Sequence, residues 1–322
     1  MPELPEVETV KRGLAEFLPG KVVKSVDYNW PKSFPNAAED VDKFLIGAKI
    51  LAVKRRAKVL LIELDSKYSL VIHLKMTGQL VFVSKNSENR RLKIEDGKPA
   101  DSFSLTSNFQ LPTSKDEVRF GAGHPNDSLV DDLPDKSTRV IFEFTDDSKL
   151  FFNDQRKFGW VRLIPTAEVP NIDFMKRLGP EPLSADFTQS EFRERLMRRP
   201  NTNIKATLLD QTVIAGVGNI YADEALWAAK IHPSQITHEI DGRQNGVLFR
   251  ELRKVLELSI EKGGSSDKNY VNAEGKKGSY LSFANVFRRE GKPCPRCGTT
   301  IVKTRVAGRG THTCPKCQKV PK

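Results

Sequence analysis

The chain has 322 residues, 38% hydrophobic and 29% charged, with a formal net charge of +11. That length can bury a sizeable core and divides naturally into two domains. No apolar run approaches the roughly 18 residues that cross a bilayer, and the N-terminal stretch lacks the basic-then-apolar pattern of a secretory signal, so a cytoplasmic protein rather than a membrane protein is expected.

In chain order, the first predicted element is a helix started by Pro5, with Val7, Val10, Leu14 and Phe17 at helical spacing. Short apolar runs follow at Lys21–Tyr28, Lys49–Val53, Val59–Leu64, Leu70–Leu74, Leu80–Val83, Val140–Phe144 and Leu150–Phe152, separated by charged or turn residues. Sequential short strands of this kind favour an antiparallel sandwich or barrel. Residues 84–136 interrupt the pattern with a polar stretch containing Pro99, Pro112, Pro125, Pro134 and a GAGH turn at Gly121–His124, which reads as a long inserted loop. A Pro-containing linker at Pro165–Pro182 leads into helices at Glu191–Arg199, capped by Ser190, then Ile204–Asp210, Ile220–Lys230 and Val247–Glu261. Gly263–Gly264 stops the last of these, and a Gly- and Ser-bearing stretch runs to Gly278.

The charge is unevenly placed along this plan. Residues 1–186 hold 28 Lys and Arg against 28 Asp and Glu, whereas residues 187–322 hold 24 against 13, so the whole excess lies in the C-terminal part. A basic half of this kind suits a polyanion, because each phosphate neutralised releases counterions. All four cysteines stand near the end, as Cys294-Pro-Arg-Cys297 and Cys314-Pro-Lys-Cys317. Two such pairs on a hairpin complete a tetrahedron of thiolates around one structural Zn²⁺ with no open position, a spacing that two independent redox pairs would not require. The same span is basic, with Lys292, Arg296, Lys303, Arg305, Arg309, Lys316 and Lys319 and no acidic residue between Lys292 and Lys319. It is therefore a candidate DNA-touching element.

The N-terminus reads M-P-E-L-P-E-V-E-T. Removal of Met1 would leave Pro2 as a secondary amine with a pKa near ~7.7–8, so a useful fraction is neutral at pH 7. Such an amine can attack the C1′ carbon of a damaged nucleoside, and Glu3 beside it can shuttle protons. Further along come R-R-A-K at Arg55–Lys58, H-L-K-M-T-G at His73–Gly78, D-Q-R-K-F-G at Asp154–Gly159, L-G-P-E-P-L at Leu178–Leu183 and G-V-G-N-I-Y at Gly216–Tyr221. Taken in this order with the four-cysteine ribbon, these motifs resemble those of the formamidopyrimidine-DNA glycosylase family over nearly the whole chain.

The resemblance implies roles for particular residues. Pro2 would be the Schiff-base nucleophile, Glu3 a proton donor, Glu6 a further acidic residue near the site and Lys58 the lysine of β-elimination. Arg309 would act in δ-elimination and bind phosphate. Base excision from a duplex requires the nucleotide to be extruded, and Met76, Arg156 and Phe158 match the residues that fill the hole, although residue type alone would place Met76 and Phe158 in a core. Gly216–Asn219 matches the turn of a helix–two-turn–helix element, with Asn219 as a helix cap and its backbone N–H groups as a phosphate site. Lys205 matches another phosphate contact, and Gly263–Gly278 falls where the family has its base-recognition loop.

The expected fold is α+β and multidomain. An N-terminal antiparallel β-sandwich with a flanking helix spans 1–165 and carries the 84–136 insertion; a linker spans 166–187. A helix–two-turn–helix domain with the base-recognition loop spans 188–290, and the zinc ribbon spans 291–322. The implied activity is a bifunctional glycosylase and abasic-site lyase of base-excision repair, removing 8-oxoguanine and formamidopyrimidines. It would act as a monomer on double-stranded DNA, with no membrane partner, in a bacterial cytoplasm at the nucleoid. The alternatives are an endonuclease VIII-like enzyme for oxidised pyrimidines, a non-catalytic lesion-sensing protein, and a zinc-ribbon RNA-binding module that leaves the N-terminal motifs without a role. Departures from the family pattern are Ser137 in place of a common histidine, Phe287 in place of a common tyrosine, and the length of the 84–136 insertion.

Overall fold

The computed structural model describes residues 2–85, 117–123, 132–265 and 280–320. Most of the 84–136 insertion and residues 266–278 of the expected base-recognition loop lie outside them. Helix α1 (Leu4–Phe17) forms as the periodicity requires: Val7, Val10 and Leu14 are fully buried. Strand β1 (Val23–Tyr28) and a helix the sequence pattern did not announce, α2 (Ala38–Phe44), come next. They are followed by β2 (Ile50–Arg56), β3 (Val59–Leu64), β4 (Tyr68–His73), β5 (Gly78–Lys85), β6 (Glu117–Gly123), β7 (Thr138–Phe144), β8 (Lys149–Asp154) and β9 (Trp160–Pro165).

These strands build two antiparallel sheets, ordered β1-β7-β8-β5-β6 and β2-β3-β4-β9. Alternate side chains of both sheets, among them Ile62, Ile72, Phe82, Phe142 and Phe152, enter one core with the apolar face of α1, which is the sandwich arrangement. The GAGH segment corrects one expectation. Gly121–Gly123 are not a turn but the end of β6, paired with β5 at Val81↔Gly121 and Gln79↔Gly123, while His124 falls outside the described residues. The pull on this strand is Phe120, buried 5.5 Å from Phe17. Its ring fills the space where a Cβ on Gly13 would lie only 1.8 Å away, so a glycine in α1 admits the strand's aromatic. Strand β9, the six residues Trp160–Pro165 after Gly159, also goes beyond the sequence pattern.

After the short helix α3 (Asp173–Lys176), the helical part comprises α4 (Gln189–Leu196), α5 (Ile204–Leu209), α6 (Asn219–Ala228), α7 (Gly242–Glu261) and α8 (Tyr280–Phe283). Helix α4 starts ahead of Ser190, because Thr188 Oγ1 accepts from Glu191 N at 3.2 Å. Helix α7 begins five residues before its apolar stripe. Asp241 and Gln244 satisfy each other's backbone N–H groups at 2.7 and 3.2 Å, and this capping box overrides the glycine in the first turn. Leu208, Tyr221, Leu226, Leu248, Leu252 and Leu256 form a second core. Helix α1 packs on β2 and β6 on one side and on α7 on the other, so the chain's first element lies between the two cores. The hairpin β10 (Val302–Val306) and β11 (Arg309–Thr313) completes the ribbon. Among the described residues no helix is long and apolar enough to cross a membrane.

Candidate active site and metal centre

The turn between β2 and β3 places Lys58 at the edge of the sandwich. Ala57 takes a left-handed conformation there, φ 53°. The linker braces the turn: Glu181 accepts from Arg55 Nη1 at 3.0 and 3.1 Å and pairs with Arg56 at 3.1 Å, and Arg55 also bonds Glu8 of α1 at 2.9 Å. Lys58 is buried and its Nζ donates to Val217 O of the helical part at 2.9 Å. The start of the chain reaches the same place, because Leu4 N donates to Gly216 O at 3.1 Å.

Here a cavity of about 360 Å³ is lined by Pro2, Glu3, Lys58, Met76, Asn219 and Arg309, with Glu6, Gln211 and Phe287 among its other walls. Residues from the first strands, the first helix, the glycine turn before α6 and the ribbon thus meet at one point. Glu3 lies at the N-terminus of α6, where Ile220 N donates to its Oε1 at 3.3 Å. Gly218 makes this possible: a Cβ there would lie 2.0 Å from the Glu3 carboxyl carbon. Gly216, at φ +84°, lets the turn pass Leu4.

This arrangement corrects the helix-cap reading of Asn219. The residue preceding α6 is Gly218, and the Glu3 carboxylate, not the Asn219 side chain, accepts at the helix N-terminus. The Asn219 side chain instead donates through Nδ2 to Gly310 O of the ribbon at 3.1 Å.

Burial dominates the electrostatics. It pushes the Glu3 carboxyl up to about 7, against the pull of Lys58 and with help from Glu6. Burial also lowers the Lys58 ammonium from the usual lysine range, opposed by Glu3 and Glu6 and reinforced by Arg309. Both shifts favour the uncharged forms. Glu6 holds the site together, accepting from Glu3 N at 2.8 Å, from Ser265 N and Oγ at 2.8 Å each, and from the buried Tyr221 hydroxyl. His73 is driven down to about 3 by burial and by Lys75, and its neutral Nδ1 accepts from Lys75 N at 3.0 Å.

Two neighbouring turns stand at the cavity's edge, Met76 lining it from one of them. Met76 is 37% exposed and Phe158 54%, against the core placement that residue type alone suggests. Arg156 lies 5.0 Å over the Phe158 ring. Lys205, expected as a phosphate contact, is held by the protein itself. Its side chain is fully buried, and its ammonium meets Asp223 at 2.6 Å, Thr311 Oγ1 at 2.7 Å and Gly310 O at 3.0 Å. Those three partners use all three donors, so Lys205 ties α5 and α6 to the ribbon. Asp223 also accepts from His312 N at 3.0 Å, and Glu224 accepts from the backbone N–H groups of Asn285, Val286 and Phe287 at 2.8–2.9 Å. The sequence reading assigned no role to Asp223 or Glu224. Their only signal was two acids inside an otherwise apolar helix, which demand buried partners.

The four cysteine sulfurs lie within 4.8 Å of one another. Three of their separations are 3.4, 3.5 and 4.0 Å, bracketing the edge of about 3.8 Å expected for a tetrahedron with Zn–S bonds near 2.3 Å. The donor set fits one structural zinc. Among the ribbon's cations Arg296 has an internal partner. It lies 4.0 Å over Trp227 and donates to Trp227 O at 3.0 Å, docking the ribbon on the end of α6. Lys292, Lys303, Arg305, Arg309, Lys316 and Lys319 are exposed. Of the departures from the motif pattern, Ser137 is buried in a turn with its N–H and Oγ both 2.7 Å from Asp135 Oδ1. Phe287 sits 5.0 Å from the His312 ring.

Three family models match the chain in succession: the formamidopyrimidine-DNA glycosylase N-terminal domain over residues 1–161, the H2TH domain of the same enzymes over 178–270, and the zinc finger found in these glycosylases and in isoleucyl-tRNA synthetases over 291–320. A formamidopyrimidine-DNA glycosylase of Pelotomaculum thermopropionicum is 39% identical over 322 residues, covering 99% of this chain and 100% of that protein. One from Latilactobacillus sakei is 37% identical, covering 99% and 98%. Among solved structures, a glycine-to-proline variant of the Lactococcus lactis enzyme bound to Fapy-dG-containing DNA superposes with a TM-score of 0.78 at 33% identity, over 99% of this chain and 100% of that one.

Proposed function

This chain belongs to the formamidopyrimidine-DNA glycosylase family, and from that premise we propose that it is a base-excision-repair glycosylase for oxidised purines which also cleaves the abasic strand. The observation that carries the proposal is the single cavity holding Pro2, Glu3, Lys58 and Arg309. In the domain division that accompanies it, residues 1–165 form the catalytic sandwich, 166–187 the linker, 188–290 the DNA-binding helices and 291–322 the finger. The protein acts as a monomer on duplex DNA.

The chemistry follows from the groups present. The neutral Pro2 amine attacks C1′, the N-glycosidic bond breaks, and the base departs with its electron pair. Protonated Glu3 gives its proton to the ring oxygen, and the carboxylate so formed takes up the proton lost from the amine. The sugar opens, leaving a cationic iminium on Pro2. The iminium draws electrons from the C2′–H bond; loss of that proton expels the 3′ phosphate, and a second elimination releases the 5′ phosphate. Lys58 and Arg309 line the same cavity, Lys58 serving the first elimination and Arg309 the second. Met76, Arg156 and Phe158 occupy the space left by the extruded nucleotide. The zinc, once bound, supplies no chemistry to this reaction and fixes the ribbon that carries Arg309.

The test is substrate choice. Excision of 8-oxoguanine opposite cytosine is expected to outpace excision of thymine glycol by at least about tenfold under single-turnover conditions, about 1.4 kcal/mol of discrimination. The reverse order would assign the chain to oxidised pyrimidines instead, and no excision of either would leave a DNA-binding protein.

A pH profile tests the Glu3 assignment. The donor form of Glu3 is present below about 7 and lost as pH rises through that value. The neutral amine of Pro2 is lost as pH falls through ~7.7–8. The glycosylase kcat/KM is therefore expected to be bell-shaped with its maximum near pH ~7.4. Glu3→Gln should lower it by roughly 10²–10⁴-fold and remove the alkaline limb. An alkaline limb that survives in Glu3→Gln would place the donor elsewhere.

A further inference from the structure

The two turns that expose Met76 and Phe158 belong to different crossings between the sheets, from β4 to β5 and from β8 to β9, yet one buried carboxylate serves both. Asp154, at the end of β8, is fully buried. Its Oδ1 accepts from the Thr77 hydroxyl of the first turn and from Arg156 N of the second at 3.2 Å, and its Oδ2 accepts from Gly159 N at 2.6 Å. Thr77 closes the bracket, because its Oγ1 also accepts from Arg156 N at 3.0 Å. Each turn contains a lysine in the left-handed region, Lys75 at φ 52° and Lys157 at φ 60°. Such residues persist only where their surroundings over-determine them.

The backbone of Asp154 is braced in turn. Its N–H donates to Ser137 O at 2.8 Å and its carbonyl accepts from Arg139 Nε at 2.9 Å. The buried Arg139 guanidinium spends its other donors on Thr138 O at 3.1 Å and Lys136 O at 2.8 Å. The Ser137 segment, where the motif pattern departs from the family, thus reaches the exposed turns through Asp154.

We propose that Asp154, through Thr77, is a positioning residue that locks the Met76 turn and the Arg156–Phe158 turn into one rigid wedge, so that the three side chains enter the duplex together. This rests on the assignment of those side chains as the duplex-filling group. Neither Asp154 nor Thr77 lines the Pro2 cavity, and of the wedge only Met76 does, so their main effect is expected on steps that need the duplex opened.

Thr77→Val removes the bridging hydroxyl at nearly constant volume, and Thr77→Ser keeps it. The base opposite an abasic analogue, replaced by 2-aminopurine, reports insertion of the wedge by its fluorescence and requires no catalysis. Thr77→Val is expected to slow that signal about tenfold and Thr77→Ser to restore it. Excision from duplex DNA should fall about tenfold for Thr77→Val while excision of the same lesion in an unpaired bubble stays within about twofold. Asp154→Asn is expected to follow the same split with a larger loss. Equal losses on duplex and bubble, or an unchanged fluorescence signal in Thr77→Val, would overturn the proposal. Because the fluorescence arm needs no chemistry, wedge insertion in a protein that excises nothing would remove the Pro2 mechanism and leave the wedge standing.

Discussion

Borohydride added to the protein on a duplex carrying 8-oxoguanine opposite cytosine is expected to freeze a covalent protein–DNA adduct, and an N-terminal extension ahead of Pro2 is expected to abolish it. The argument starts from chemistry: an amide nitrogen has no lone pair available for attack, whereas a secondary amine does, and the iminium it forms is the species that borohydride reduces. Geometry narrows it to one residue. The neighbouring backbone is fixed by Glu3 N on Glu6 and by Leu4 N on Gly216 O, which holds Pro2 at the cavity shared with Lys58 and Arg309. Lys58 is the other amine in reach, and its lowered pKa makes it a competitor in principle. Lys58→Ala with a free Pro2 should therefore keep trapping, whereas the extended protein with Lys58 intact should lose it by at least about 10³-fold. An adduct of equal yield in the extended protein would transfer the nucleophile to Lys58.

The second large effect is expected from the metal centre. Cys314→Ser should abolish zinc binding, measured as metal per chain, and lower affinity for lesion-containing duplex by at least about tenfold. The ribbon's own apolar cluster is small, with Val286, Ile301 and the cysteines set against Trp227. Binding to a structural zinc is worth about 10–16 kcal/mol in isolated fingers, far more than such a cluster supplies. Loss of the metal releases the hairpin that carries Arg309 and the Gly310 and Thr311 acceptors of Lys205. Lys205 would then keep only Asp223, so the damage should spread into the helical core and appear as a lower Tm. Unchanged duplex binding by a zinc-free protein would show that the ribbon contributes nothing to DNA recognition.

Local patterns carried a good deal of this structure. The spacing of Val7, Val10 and Leu14 announced α1, and the apolar run Val59–Leu64 became β3 with those bounds. The paired cysteines announced a tetrahedral donor set because their spacing is itself the geometry of the site. What stayed hidden depends on partners far away in sequence. Gly121–Gly123 have the composition of a turn, and only Phe120 packing against α1 makes them strand. Lys205 reads as a free cation until Asp223 is found beside it. Asn219 is a good cap by residue type, but the Glu3 carboxylate reaches that helix end first. Motif order pointed to Pro2, Glu3, Lys58 and Arg309, yet nothing local says that Gly218 exists to leave room for Glu3.

The meeting of Glu3, Gly218 and Arg309 in one cavity has a consequence for synthesis. A ribosome makes Pro2 about 300 residues before it makes Arg309. Until the glycine turn and the ribbon emerge, the amine has no buried carboxylate beside it and no cation to hold a phosphate. The nascent chain thus carries its reactive group from the start but in an inert setting. Reactivity is acquired only when the last segment folds back onto the first.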